Sequence, residues 1–98
     1  MKEHIMDWMI TQIFLSDTGV HEVYAHHSSH RLRCNCLGYT SRGVCKHTRF
    51  VQGRMNDNGG VYPVEISNRV DKATSLLASE DPEAFRELLV NYGKIEAL

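Results

Sequence analysis

Residues 9–15 read Met-Ile-Thr-Gln-Ile-Phe-Leu, largely apolar and β-forming, and the turn-forming run Ser16-Asp17-Thr18-Gly19 follows. β-formers resume over residues 20–26, so the two runs predict a β-hairpin. A second polar break, His27-Ser28-Ser29-His30, precedes residues 31–36, where Leu32 sits between Arg31 and Arg33 and predicts a third short strand. Ahead of the hairpin, Ile5, Met6 and Trp8 have a spacing compatible with a short helix.

Beyond Cys45 the period changes. Phe50, Val51 and Met55 fall on one helical stripe, which predicts a short helix from Cys45 to about Met55. Gly53 weakens it by up to ~1 kcal/mol relative to alanine. Residues 56–60, Asn-Asp-Asn-Gly-Gly, form a loop, and residues 61–66 an additional strand that Pro63 confines to an edge or irregular role. Ser67 is a candidate cap for a helix reaching Ala78, with Val70, Ala73, Leu76 and Leu77 as its buried stripe. Asp81-Pro82 then supplies a cap followed by proline at the first helical position. Phe85, Leu88, Leu89 and Tyr92 form the apolar face of this last helix, up to a stop at Gly93.

These elements predict the α+β class: a small antiparallel sheet of two or three strands, a short helix after it, and two C-terminal helices. Residues 1–98 are read as one small domain, with a first module over 20–56 and a helical extension over 61–98. The composition agrees, because 42% hydrophobic residues and only 2 prolines are incompatible with wholesale disorder. No apolar run approaches the ~20 residues of a membrane span, and Glu3 and Asp7 interrupt the opening segment where a secretion signal would be basic and then apolar. The expectation is a cytoplasmic protein without a membrane partner.

Charge divides the chain more sharply than its net value of −1 suggests. Residues 1–22 carry −3, residues 23–56 carry +6 with no acid at all, and residues 57–98 carry −4. The cysteines lie in the basic segment. Being 3 in number, with two of them a single residue apart, they make a poor disulfide framework.

Cys34-Asn35-Cys36, then eight residues, then Cys45-Lys46-His47 place three thiols and one imidazole within 14 positions. Zinc takes four such donors tetrahedrally, with Zn–S near ~2.3 Å and Zn–N near ~2.0 Å. In an extended strand residues i and i+2 point to one side, so Cys34 and Cys36 can offer both sulfurs to one ion, and Cys45 and His47 can do so from a turn entering a helix. Residues 37–44, with Gly38, Ser41 and Gly43, are read as the flexible return between the pairs. Four protein donors leave no open position for water, which points to one structural Zn²⁺ and away from catalysis. Three competing readings are unrelated buried cysteines, a cysteine nucleophile activated by His47, and an iron–sulfur cluster. The nucleophile reading leaves Cys34 and Cys36 without a role.

The pattern Cys-x-Cys, variable loop, Cys-x-His, preceded by hairpin material and followed by a helix, resembles the SWIM zinc finger over residues 20–55. That resemblance implies a ββα module with Cys34, Cys36, Cys45 and His47 as its four ligands, used to bind DNA or proteins. The CDGSH iron–sulfur family shares the cysteine spacing, but its histidine falls where this chain has Arg49, its proline position is Gly43, and its Asp-Gly pair is missing.

The six bases of the middle segment, Arg31, Arg33, Arg42, Lys46, Arg49 and Arg54, are candidates for contact with phosphates, which gives sequence-independent affinity for nucleic acid. Tyr39 is a candidate for stacking on an unpaired base. The competing reading is a solvated face that balances the acidic helices. His21, His26, His27 and His30 lack cysteine or carboxylate neighbours at ligand spacing and are read as exposed polar residues. No carboxylate pair, phosphate loop or nucleophile arrangement suggests an enzyme or a small-molecule substrate. The expected function is therefore binding: a non-enzymatic accessory factor for DNA or other nucleic acid, or else a protein-interaction module, a small regulator or inhibitor docking on a larger protein machine.

Overall fold

The computed structural model describes residues 8–98. Strand β1 (Trp8–Ser16) turns through Asp17 and Thr18 into β2 (Gly19–His26), the antiparallel hairpin that the β-forming runs predict. Gly19 has φ 125°, which a side chain would strain, and it pairs with Ser16 to close the hairpin. Strand β3 (Leu32–Cys34) adds antiparallel to β2, again as expected.

Helices follow. Helix α1 (Leu37–Arg42) occupies the segment read as a flexible return; Gly43, left-handed at φ 76°, ends it by donating its N–H to the Tyr39 carbonyl at 2.7 Å. Helix α2 (Lys46–Asn56) starts where the stripe of Phe50, Val51 and Met55 predicts. Helix α3 (Lys72–Ala78) is shorter than expected: its cap is Asp71, whose carboxylate accepts from the Thr74 N–H at 2.7 Å, and Ser67 lies in a turn upstream. Of the stripe assigned to it, Val70 packs against the core beneath α4, but Ala73 is exposed, and Leu76 and Leu77 are 58% and 72% exposed. Helix α4 (Pro82–Tyr92) has the predicted Asp81 cap, N-terminal proline and buried Phe85, Leu88 and Leu89.

Two strand expectations change. Residues 61–66 contribute only one isolated bridge, Ile66 with Gly93, because Pro63 cannot donate to a ladder. The chain instead returns to the sheet as β4 (Ile95–Ala97), parallel to β1, giving a four-stranded mixed sheet in the order β3-β2-β1-β4. Trp8 belongs to β1, and the rest of the helix expected ahead of Met9 lies outside the described residues.

β1 is therefore covered on both sides. Phe14 packs with Val23, Val51, Met55 and Tyr62 beneath α2, and Ile10 and Ile13 pack with Phe85, Leu88 and Leu89 beneath α4. A register shift between Ile10 and Gln12 lets Ile10 and Ile13, three positions apart, face the same side, which strict alternation forbids. The Thr11 hydroxyl inside this bulge donates to the Val23 carbonyl at 3.0 Å. Buried Gln12 accepts from the Tyr62 hydroxyl at 2.8 Å and donates to the Lys94 carbonyl, so one amide joins β1, the 61–66 segment and the entry to β4. Gly93 makes that entry possible, because a Cβ there would lie 2.7 Å from the Leu89 carbonyl oxygen. Among the described residues no helix is long and apolar enough to cross a membrane.

Candidate metal centre

The four expected donors are brought together by a strand end, two helix N-caps and one helical position. Cys34 ends β3 and Cys36 is the N-cap of α1, so the strand-to-helix change turns the second thiol back toward the first. Cys45 is the N-cap of α2. Its sulfur accepts from the Thr48 N–H at 3.4 Å, while its own N–H donates to the Thr48 hydroxyl at 3.1 Å, a reciprocal capping box with cysteine in the place usually held by serine or threonine. His47, one residue inside α2, points down into the same space with 2% exposure.

The result is compact. The four ligand atoms lie within 4.8 Å of one another, and all four residues are buried. His47 Nδ1 stands 3.8 Å from the Cys34 sulfur and 3.9 Å from the Cys45 sulfur. In a tetrahedron with Zn–S near 2.3 Å, neighbouring ligand atoms stand roughly 3.7 Å apart, and these two edges are close to that length. Nδ1 is thus the nitrogen that would coordinate an ion held there. The other ring nitrogen, Nε2, is 2.9 Å from the Leu98 carbonyl and carries the proton that it donates there. Phe14 packs against the ring with centroids 4.8 Å apart, and His21 with centroids 5.2 Å apart, fixing its plane from two sides.

The electrostatics suit an ion that replaces protons. Burial pushes the Cys34 thiol up to about 12, so without a metal it stays protonated at neutral pH. Burial also acts against the Cys45 thiolate, but the Thr48 N–H and hydroxyl, with the Cys36 thiol and the His47 backbone N–H, together outweigh it and hold this thiol below its ordinary value. Burial lowers His47, which keeps the imidazole neutral and able to coordinate. Three thiolates and an imidazole are the donor set of a closed, soft-metal site, and such a site holds structure in place without activating water.

Thr48 is the residue that the ligand spacing did not reveal. Its signal was present as Cys-x-x-Thr, a capping box written with a sulfur acceptor.

The six candidate basic residues do not form one surface. Arg42, Lys46 and Arg49 line a single recess of about 400 Å³ beside Cys36, Cys45 and His47. Arg33 lies over the Trp8 ring at 4.3 Å and near the Tyr24 ring at 5.8 Å, on the α4 side of the sheet. Arg54 is held by Glu65 at 3.4 Å and Glu96 at 3.6 Å, above the Phe50 ring. Arg31 is exposed just ahead of β3. Tyr39, in α1 and half-buried, donates its hydroxyl to the Leu32 carbonyl at 3.0 Å, so its ring belongs to the core and not to an open loop.

Among the candidate histidines, His27 and His30 are exposed, and His21 and His26 are half-buried. Apart from the Cys34, Cys36, Cys45 and His47 group, the described residues contain no cluster of three or more such donors. The chain matches no family model, no curated protein and no solved structure. Its chemistry is read from this geometry.

Proposed function

We propose that the chain is a non-enzymatic zinc-binding module of the SWIM-like kind that engages nucleic acid through the cations around its metal centre. The observation that carries this reading is one shared location. Three members of the cluster, Cys36, Cys45 and His47, line the recess into which Arg42, Lys46 and Arg49 reach. Lys46 lies between two ligands in sequence, and Arg49 stands one turn along α2, so the metal sets their positions directly. Bound zinc with three thiolates carries −1, which leaves the three neighbouring cations with a net excess of two positive charges.

Metal analysis of untagged protein with an absorption spectrum tests the first half: about one zinc per chain, without visible bands, supports it, and bound iron replaces it. Anisotropy with labelled nucleic acid tests the second half. Affinity should fall steeply between about 50 and 200 mM salt, since each phosphate contact releases counterions. A flat response removes the nucleic-acid reading.

A second reading, protein docking, has its own support. Leu15, Val20, Val90 and Ile95 are each 44–58% exposed and border one groove at the β4 edge. Recovery of a specific partner from nuclease-treated lysate, lost on Val20→Asp, would favour it.

A further inference from the structure

The recess beside the metal is a better match for one kind of nucleic acid than for another. At about 400 Å³ it is much larger than a lone phosphate group, and it falls within the ~300–1,000 Å³ of small-ligand sites. Its floor is the start of α2 and its wall is α1. No carboxylate lines it. Three cations converge there, two of them arginines whose planar forks suit bidentate phosphate contact.

Part of the rim is apolar. Leu37 is 80% exposed and Val44 is 51% exposed, both lining the same recess as the cations. Two aliphatic side chains held out to water beside three positive charges complement a ligand that is anionic at one end and apolar at the other. A nucleotide has that form. Duplex phosphates lie on the outside of a stiff cylinder whose bases face inward, so a duplex can offer phosphates to the rim but cannot bring a base face onto Leu37 or Val44. An unpaired strand can do both, because its nucleotides rotate independently.

We infer that this recess seats one nucleotide of an unpaired strand, with Arg42, Lys46 and Arg49 on its own and the flanking phosphates and Leu37 and Val44 against the sugar and base. The inference rests on the nucleic-acid reading above and narrows it. Because Tyr39 is turned into the core by its bond to Leu32, the base meets aliphatic and not aromatic surface. Recognition is therefore tolerant of sequence.

The test is anisotropy on the zinc-loaded full chain with three probes: a labelled mixed-sequence single-stranded oligonucleotide, the same sequence as duplex, and a labelled poly-glutamate peptide. The single strand should bind at least tenfold tighter than the duplex. Its slope of log affinity against log salt should be near −2, from about 0.7 per contact over three contacts. Arg42→Gln with Arg49→Gln should reduce that slope by more than half. Leu37→Ser, at a position already open to water, should weaken single-strand binding severalfold and leave the slope unchanged. Zinc stoichiometry and melting temperature confirm that each variant is folded; should the arginine pair fail this control, the strand preference and the Leu37 variant still decide. Equal or tighter duplex binding overturns the inference and leaves the nucleic-acid reading standing. Single-strand binding unaffected by the arginine and leucine variants moves the contact elsewhere and also overturns it. Tighter binding of the peptide favours an acidic protein ligand instead, and no binding by either nucleic acid removes both the inference and the reading beneath it.

Discussion

His47 Nε2 lies 2.9 Å from the Leu98 carbonyl, joining a ligand near the middle of the chain to the residue that follows β4. Leu98 is held in turn by its N–H, which donates to the Leu15 carbonyl at 3.1 Å. The imidazole is thereby locked in the tautomer that leaves Nδ1 free for a metal. Such outer partners are typically worth 10–100-fold in metal affinity. Truncation after Lys94 removes this carbonyl together with β4, and zinc affinity measured by chelator competition should fall by about that factor. Unchanged affinity would show that Phe14 and His21 orient the ring unaided.

Metal binding should release protons. Cys34 is a protonated thiol in the metal-free protein, its value raised to about 12 by burial, and it must become a thiolate to coordinate. Zinc affinity therefore falls as pH falls, and calorimetry in buffers of different ionisation enthalpy should find at least one proton released per zinc. Zero release would contradict a thiolate site.

Removing the ion should melt its surroundings. Structural zinc contributes about 10–16 kcal/mol of apparent free energy in small zinc modules near neutral pH, as much as the whole stability of a typical domain. Cys36→Ser, or treatment with a strong chelator, should abolish the cooperative thermal transition followed by circular dichroism. An unaltered transition would mean that the two apolar clusters suffice without a metal.

Two glycines should respond to alanine with opposite signs. At Gly93 the added Cβ would meet the Leu89 carbonyl oxygen at 2.7 Å, so Gly93→Ala should destabilise by about 1–3 kcal/mol in urea titration. At Gly53, inside α2, nothing lies within 4 Å of the added carbon, and Gly53→Ala should stabilise by up to about 1 kcal/mol. The same sign at both positions would contradict the packing described.

Glu22 supplies an acid-sensitive tie between the sheet and α4. Arg86 donates to its two carboxylate oxygens at 2.7 and 3.0 Å, and the Tyr24 hydroxyl adds a third bond at 2.8 Å. The Arg86 bonds, opposed by burial, hold Glu22 below its ordinary value of 4.5. The contribution is complete above that value and is lost as pH falls through the lower, folded value. Arg86 is about half exposed, so solvent screening limits the pair to about 0.5–1 kcal/mol. Glu22→Gln should cost that amount at pH 7 and nothing well below the folded value.

The candidate metal ligands were legible because coordination needs particular atoms at short spacing, and few other roles require Cys-x-Cys and Cys-x-His together. The hairpin and α4 were legible from β-forming runs and from Asp81-Pro82 before an amphipathic stripe. What escaped was decided by contacts made after the chain folds. Residues 95–97 are too few to carry a period and become a strand only because β1 offers a free edge. Residues 37–42 contain the flexible signals Gly38 and Ser41, yet they coil into α1 between two cysteines that converge on one point. Ser67 and Asp71 are both competent caps, and the structure uses the aspartate. Among the arginines, sequence showed the charge but not the partner: Glu65 and Glu96, far along the chain, take Arg54 out of the group.

The parallel pairing of β4 with β1 also imposes an order of assembly. Ile13 pairs with Ile95 across most of the chain, and closing so long a loop is slow beside the local closure of the hairpin. β4 should therefore dock after β1 and β2 have paired, and it brings with it the carbonyl that orients the imidazole. Capture of an ion and fastening of its ring need not be one event.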